Sequence, residues 1–150
     1  MNLCFFDIAF DEARKSFELD EVPIGAVIVK QGKVIASAHN LKEHNNCSIY
    51  HAEILAIKEA SKILHNWRLD DCDLYVTLDP CPMCASAIKQ SRIAHVYSAL
   101  HNSDSSNAKI IQSIFASNDS TNPSVFFESD LNKTLSQELL NKFFEKQRKR

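Results

Sequence analysis

No stretch of this chain is apolar for long enough to cross a bilayer as a helix, which takes about 20 predominantly hydrophobic residues. Neither sign of charge is in excess: 17 Lys and Arg stand against 19 Asp and Glu, a formal net charge of −2. That balance excludes a global pull on phosphates, so any nucleic-acid contact has to come from basic residues grouped locally. No internal repeat is present. The first residues, Met1 to Asp7, lack a basic segment followed by an apolar stretch and a small-residue cleavage site. No secretory leader is therefore read, and the expected compartment is the cytoplasm, where thiols stay reduced. The five cysteines (Cys4, Cys47, Cys72, Cys81, Cys84) are an odd number. They argue against a disulfide framework and for metal binding or buried thiols.

The chain has 150 residues, 45% of them hydrophobic, which suits one compact domain spanning 1–150. From Asn2 to Glu18, apolar residues Leu3, Phe6, Ala9, Phe10, Ala13 and Phe17 recur at helical spacing. Pro23 and Gly25 end that helix. Ile24 to Val29 and Val34 to Ala38 read as a β-hairpin around Gln31-Gly32-Lys33. Leu41 to Ser48 is a polar loop. Helical pattern returns from His51 to Leu64, then a strand at Leu74 to Leu78, a helix from Pro80 to Gln90 and a strand at Ala94 to Ala99. The segment His101 to Ser124 is the least readable, with a helix over Ala108 to Ala116. A last strand at Ser124 to Phe127 and an amphipathic helix from Asn132 to Arg150 close the chain. The expected fold is α/β: a three-layer α/β/α domain around a mixed five-stranded sheet. Ligand sites in such a sheet lie at the carboxyl ends of the strands.

Two short clusters carry chemistry. His51-Ala52-Glu53 opens one helix and Pro80-Cys81-Pro82-Met83-Cys84 opens the next. Cys81 and Cys84 are one helical turn apart, and a helix N-terminus favours the thiolate form that binds metal. Two thiolates and an imidazole suit one zinc ion, and three protein ligands leave one tetrahedral position open to water, as in a catalytic site. Glu53 is two residues from the ligand His51, close enough to take a proton from that water and pass it to a ring nitrogen and a leaving amine. His-x-Glu followed by Pro-Cys-x-x-Cys is the signature of the zinc nucleobase deaminases. Other uses of the same residues stay open. A structural zinc needs a fourth ligand, for which Cys47, His44 and Cys72 are candidates, and Cys-x-x-Cys also serves as a redox pair.

The chain resembles the bacterial tRNA adenosine deaminases of the cytidine deaminase-like superfamily. The likeness rests on Glu21 to Val27 (EVPIGAV), His39-Asn40, His51-Ala52-Glu53-Ile54, Leu74 to Ala85 (LYVTLDPCPMCA) and Ser91-Arg92-Ile93. It implies a homodimer acting on the wobble adenosine of a tRNA anticodon stem-loop, with one zinc per subunit on His51, Cys81 and Cys84 and Glu53 as proton shuttle. It also implies that Asn40 contacts the target nucleotide, that Val22, Pro23 and Ile24 wall the base pocket, and that the Ala52 backbone helps hold the base. Three stretches depart from the family pattern: Asp79 stands where Glu is usual, Cys47 to Tyr50 precede His51, and Leu100 to Ser105 contains no glycine. A free-base deaminase for guanine or cytosine, and an inactive zinc-stabilised RNA-binding or partner subunit, are the competing functions. Lys142, Lys146, Arg148, Lys149 and Arg150 form either a phosphate-binding patch or an ordinary cationic helix end. Asn40 has a commoner role as a turn cap, and Trp67 and Phe115 are read as core rather than as platforms for a base.

Overall fold

A computed structural model describes residues 1–150, the side chain of Ser105 excepted. The elements follow in the order α1 (Cys4–Glu18), β1 (Gly25–Lys30), β2 (Lys33–His39), α2 (Ala52–Leu64), β3 (Cys72–Val76), α3 (Pro82–Gln90), β4 (His95–Ser98), α4 (Ser105–Ala116), β5 (Phe126–Glu128) and α5 (Lys133–Arg148). The five strands form one sheet in the order β2-β1-β3-β4-β5. β1 runs antiparallel to both of its neighbours, while β3, β4 and β5 are mutually parallel. The N-terminal end of β1 therefore lies beside the carboxyl ends of β2 and β3, with that of β4 next along the same edge.

The hairpin between β1 and β2 turns at Gln31 (φ 52°) and Gly32 (φ 77°). Two consecutive positive φ values give a turn whose twist matches the flanking strands. Strand β1 is buried on both faces because its side chains alternate between two cores. Ala26 and Ile28 join Ala52, Ala56 and Ala60 of α2, Ala85 and Ile88 of α3, and Ile111 and Phe115 of α4. Val27 and Val29 face the other way, toward Phe6, Ala9 and Phe10 of α1, with Leu135 and Leu139 of α5 packed alongside. One strand feeding two cores is what makes the fold three layers, as expected from the alternating pattern. Gly25 sits where α1 presses on the sheet: a Cβ there would lie 1.9 Å from the Ala9 carbonyl oxygen.

Every expected element is present, with boundaries shifted by a few residues. The largest shift is at α4, which begins at Ser105 rather than Ala108 because the Asp104 carboxylate accepts the Ser106 N–H at 3.1 Å and caps the helix. β5 lies at Phe126–Glu128 rather than Ser124 to Phe127. Phe115 is core, as expected, but Trp67 is not: it is 59% exposed, with the guanidinium groups of Arg68 and Arg92 each 5.5 Å from its ring. No helix among the described residues is long and apolar enough to cross a membrane.

Candidate metal centre and substrate pocket

His51 and Cys81 occupy equivalent places, the N-cap positions of α2 and α3. Both backbones are extended there, with ψ of 153° and 169°, and neither side chain is spent on capping its own helix. Pro82 follows Cys81 in the first turn, where a missing N–H leaves nothing unsatisfied. The helix then carries Cys84 back to the same side. The His51 Nδ1 lies 3.7 Å from the Cys81 Sγ and 3.5 Å from the Cys84 Sγ. One ligand atom from each of the three residues lies within 4.8 Å of the others. Two sulfurs and one nitrogen converging at the ends of two helices are a donor set suited to zinc.

The other candidate ligands stand apart from this group. Among the described residues the cluster contains three side chains, and Cys47, His44 and Cys72 are not among them. Cys72 is buried at the far end of β3. The His44 N–H instead donates to the buried Glu21 carboxylate at 2.5 Å, tying the loop after β2 to the segment before β1. All five cysteines are free thiols.

Electrostatics distinguish the two thiols. A hydrogen bond from the Cys84 thiol, with a further contribution from His51, pulls the Cys81 thiol down to about 4. Sharing that bond and being buried push Cys84 the other way, well above the ordinary thiol range. The hydrogen bond to Cys81 raises His51. Glu53, on the first turn of α2, is 4% exposed, and burial pushes it up to about 7. Its Oε1 has no protein partner. A buried carboxyl oxygen left without a donor is costly unless something outside the chain supplies one.

Asn40 reaches the same edge from the end of β2. Its backbone is held twice, by its own N–H to the Ile24 carbonyl at 3.2 Å and by the Ser16 hydroxyl donating to its carbonyl at 2.9 Å. Its side-chain oxygen is buried without a partner, which a turn-capping asparagine would not be. Pro23 is buried, Val22 and Ile24 are half-buried, and Ala52 is fully buried at the first position of α2. These four residues belong to the segments leading into β1 and α2, at the sheet edge that carries Asn40 and the cluster.

Two supports escaped the sequence reading. Thr77 clamps β3 to the start of β1, its hydroxyl accepting the Gly25 N–H and its own N–H donating to the Gly25 carbonyl, both at 3.1 Å. Asp79 is buried two residues before Cys81 and accepts from His101 Nδ1 at 2.7 Å, the Asn102 N–H at 3.2 Å and the Ser129 hydroxyl at 2.6 Å. It binds the cysteine loop to the glycine-free segment after β4 and to the end of β5. Sequence separation hides these contacts, which exist because β3 lies between β1 and β4, with β5 beyond β4.

The fold and this cluster place the molecule among proteins with the cytidine deaminase-like fold. The sequence profile of the MafB19-like deaminases matches residues 2–148, and the chain belongs to that family. The tRNA-specific adenosine deaminase of Bacillus subtilis is 57% identical over 88 residues, which are 59% of this chain and 55% of that protein. The chain thus matches a little over half the length of that relative. A solved structure concerned with A-to-I editing by tRNA:A34 deaminases at the wobble position of transfer RNA superposes with a TM-score of 0.83 and 39% identity, covering 93% of this chain and 100% of the other. The structure of guanine deaminase from Bacillus subtilis is 32% identical with a TM-score of 0.66, over 100% of this chain and 96% of that one.

Proposed function

We propose that this chain is a zinc-dependent hydrolytic deaminase that converts the wobble adenosine of a tRNA anticodon loop to inosine, acting as a cytoplasmic homodimer. The observation that carries the reading is the convergence of two sulfur atoms and one imidazole nitrogen with a buried carboxyl that has an unpartnered oxygen. His51, Cys81 and Cys84 would hold one zinc per subunit. Zinc, when bound, would supply the activation of water for attack on the ring carbon bearing the amine.

The chain's own groups do the rest. Glu53 is buried two residues from His51 with an unpartnered carboxyl oxygen, so its carboxyl is placed to take and give a proton. It would move one proton to the ring nitrogen beside the reacting carbon and the next to the departing amine, so that oxygen enters and ammonia leaves. The unpartnered Asn40 oxygen would accept a hydrogen bond from the target nucleotide, with its backbone already fixed by Ser16 and Ile24. Val22, Pro23 and Ile24 would wall the base, and the Ala52 backbone would hold it at the N-terminal end of α2.

The RNA substrate is favoured by the likeness to tRNA-specific adenosine deaminases, which is stronger than that to guanine deaminase. The guanine deaminase likeness extends along the whole chain and makes a free base the second reading. Incubating zinc-loaded protein with an anticodon stem-loop bearing a wobble adenosine, and separately with adenine, guanine, cytosine and cytidine, decides between them. Inosine in the RNA, absent with Glu53→Ala, is the expected product. Ammonia from a free base with the RNA untouched would keep the mechanism and replace the substrate. A solution mass measurement tests the dimer.

A further inference from the structure

A second concavity of about 750 Å³ lies between α1 and α2 along the outer edge of β2, the terminal strand of the sheet. It begins at the rim of the candidate pocket. His39 and Tyr50, which line it, are the immediate neighbours of Asn40 and His51, and the Leu41 N–H joins the two sides by donating to the Tyr50 carbonyl at 3.0 Å. Its α2 wall carries Lys58 and Lys62, one turn apart and both exposed. The Lys58 Nζ lies 5.7 Å from the centroid of the half-buried Tyr50 ring. The opposite wall carries Lys15.

The two acidic residues lining the cleft do not cancel this charge equally. Glu12 is buried and already occupied, by Lys15 at 3.0 Å and by His39 Nδ1 at 2.6 Å. Glu59 is exposed and is the carboxylate left to face Lys58 and Lys62. With Lys15 held by Glu12, the uncommitted charge of the cleft is Lys58 and Lys62 against Glu59, a small local excess of basic charge in a chain of net charge −2.

We infer that this cleft is a second subsite for RNA. It takes the sugar–phosphate backbone that runs away from the target nucleotide, with Lys58 and Lys62 on phosphates and the Tyr50 ring offering a stacking face at the junction. The inference rests on the proposed RNA substrate. It names where the strand goes once its target base is in the pocket.

The test is the affinity of zinc-loaded protein for a fluorescein-labelled anticodon stem-loop, read by anisotropy across a salt series. The variants are Lys58→Glu with Lys62→Glu and, as a control of equal charge change at the far hairpin end of the sheet, Lys30→Glu with Lys33→Glu. The cleft pair should weaken binding by at least about tenfold and lower the slope of log K against log salt by about two. The control should move both by much less, and both variants should keep the wild-type circular dichroism and zinc content. Equal effects of the two pairs, or an unchanged affinity and slope in the cleft pair, would overturn the subsite while leaving the RNA reading in place. Failure of the wild-type protein to bind the stem-loop would overturn the RNA reading and the subsite with it.

Discussion

At the level of a single residue, the proposed role of Glu53 carries a visible cost in stability. Burial holds its carboxyl near 7, against an ordinary value of 4.5. The native state therefore binds more protons than the unfolded chain between those two values. The sign follows: in the metal-free protein this group costs nothing below about 4.5, and its penalty grows as pH rises to 7 and stays above it. Glu53→Gln should stabilise the metal-free protein at pH 8 by about 1–3 kcal/mol and leave it almost unchanged at pH 4.5. Urea curves in the presence of a chelator read the difference, and an equal effect at both pH values would show that the buried charge is not its cause. The same variant should lower kcat by roughly 10²–10⁴-fold with zinc content unchanged, because it keeps the shape of the side chain and removes its ability to take and give a proton. Loss of zinc in Glu53→Gln would make Glu53 a ligand or a structural support instead.

Between elements, the packing of α1 on the sheet decides how the pocket edge is held. The Ala9 carbonyl occupies the space of a Cβ at Gly25, and nothing there is the flexible end of a side chain. Gly25→Ala should therefore destabilise by about 1–3 kcal/mol or more, as overpacking against backbone does, and thermal melting measures it directly. A second tie joins α1 to β2, where Glu12 meets His39 and the Ser37 hydroxyl. Burial raises the Glu12 carboxyl, but the hydrogen bonds from His39 and Lys15 outweigh it and leave the group below its ordinary 4.5. A lowered pKa means stability that is present above 4.5 and lost as pH falls through the native value. Glu12→Gln should accordingly lose stability at pH 7 and converge on the wild type in acid, as denaturant curves at several pH values would show. The elements themselves were legible in the sequence because each buries a periodic face: Phe6, Ala9, Phe10 and Ala13 in α1, and the alternating residues of β1. The candidate metal-binding group was legible for a related reason, since Cys81 and Cys84 are fixed by one helical turn. What stayed hidden was either a cap inside a polar stretch, as at Asp104, or a contact set by strand order, as between Asp79 and His101. Glu12, too, could not be matched with His39 until α1 lay across β2.

For the molecule as a whole, the question is whether the candidate metal centre would hold the fold or the fold would hold it. The three candidate ligands sit at the start of α2 and within the first turn of α3, and the cores on both faces of the sheet are filled by side chains from β1, β3, β4 and all five helices. Neither core needs the metal in order to close. A small domain that depends on a structural zinc unfolds when the ion is removed, whereas this chain has the two-sided hydrophobic core that such domains lack. An ion that binds the native state alone adds stability by mass action, about 2.7 kcal/mol at 100 times Kd and 4.1 kcal/mol at 1,000 times. For a domain of this size each kcal/mol shifts Tm by about 2–4 °C. Chelation should then lower Tm by on the order of 5–15 °C, while far-ultraviolet circular dichroism at 25 °C stays that of the folded protein. Stoichiometric zinc should restore the original Tm. His51→Ala, which removes one ligand, should melt close to the chelated wild type and respond little to added zinc. If chelation instead abolished the folded spectrum at 25 °C, the cluster would be a structural staple, and the unpartnered oxygen of Glu53 would need an explanation other than catalysis.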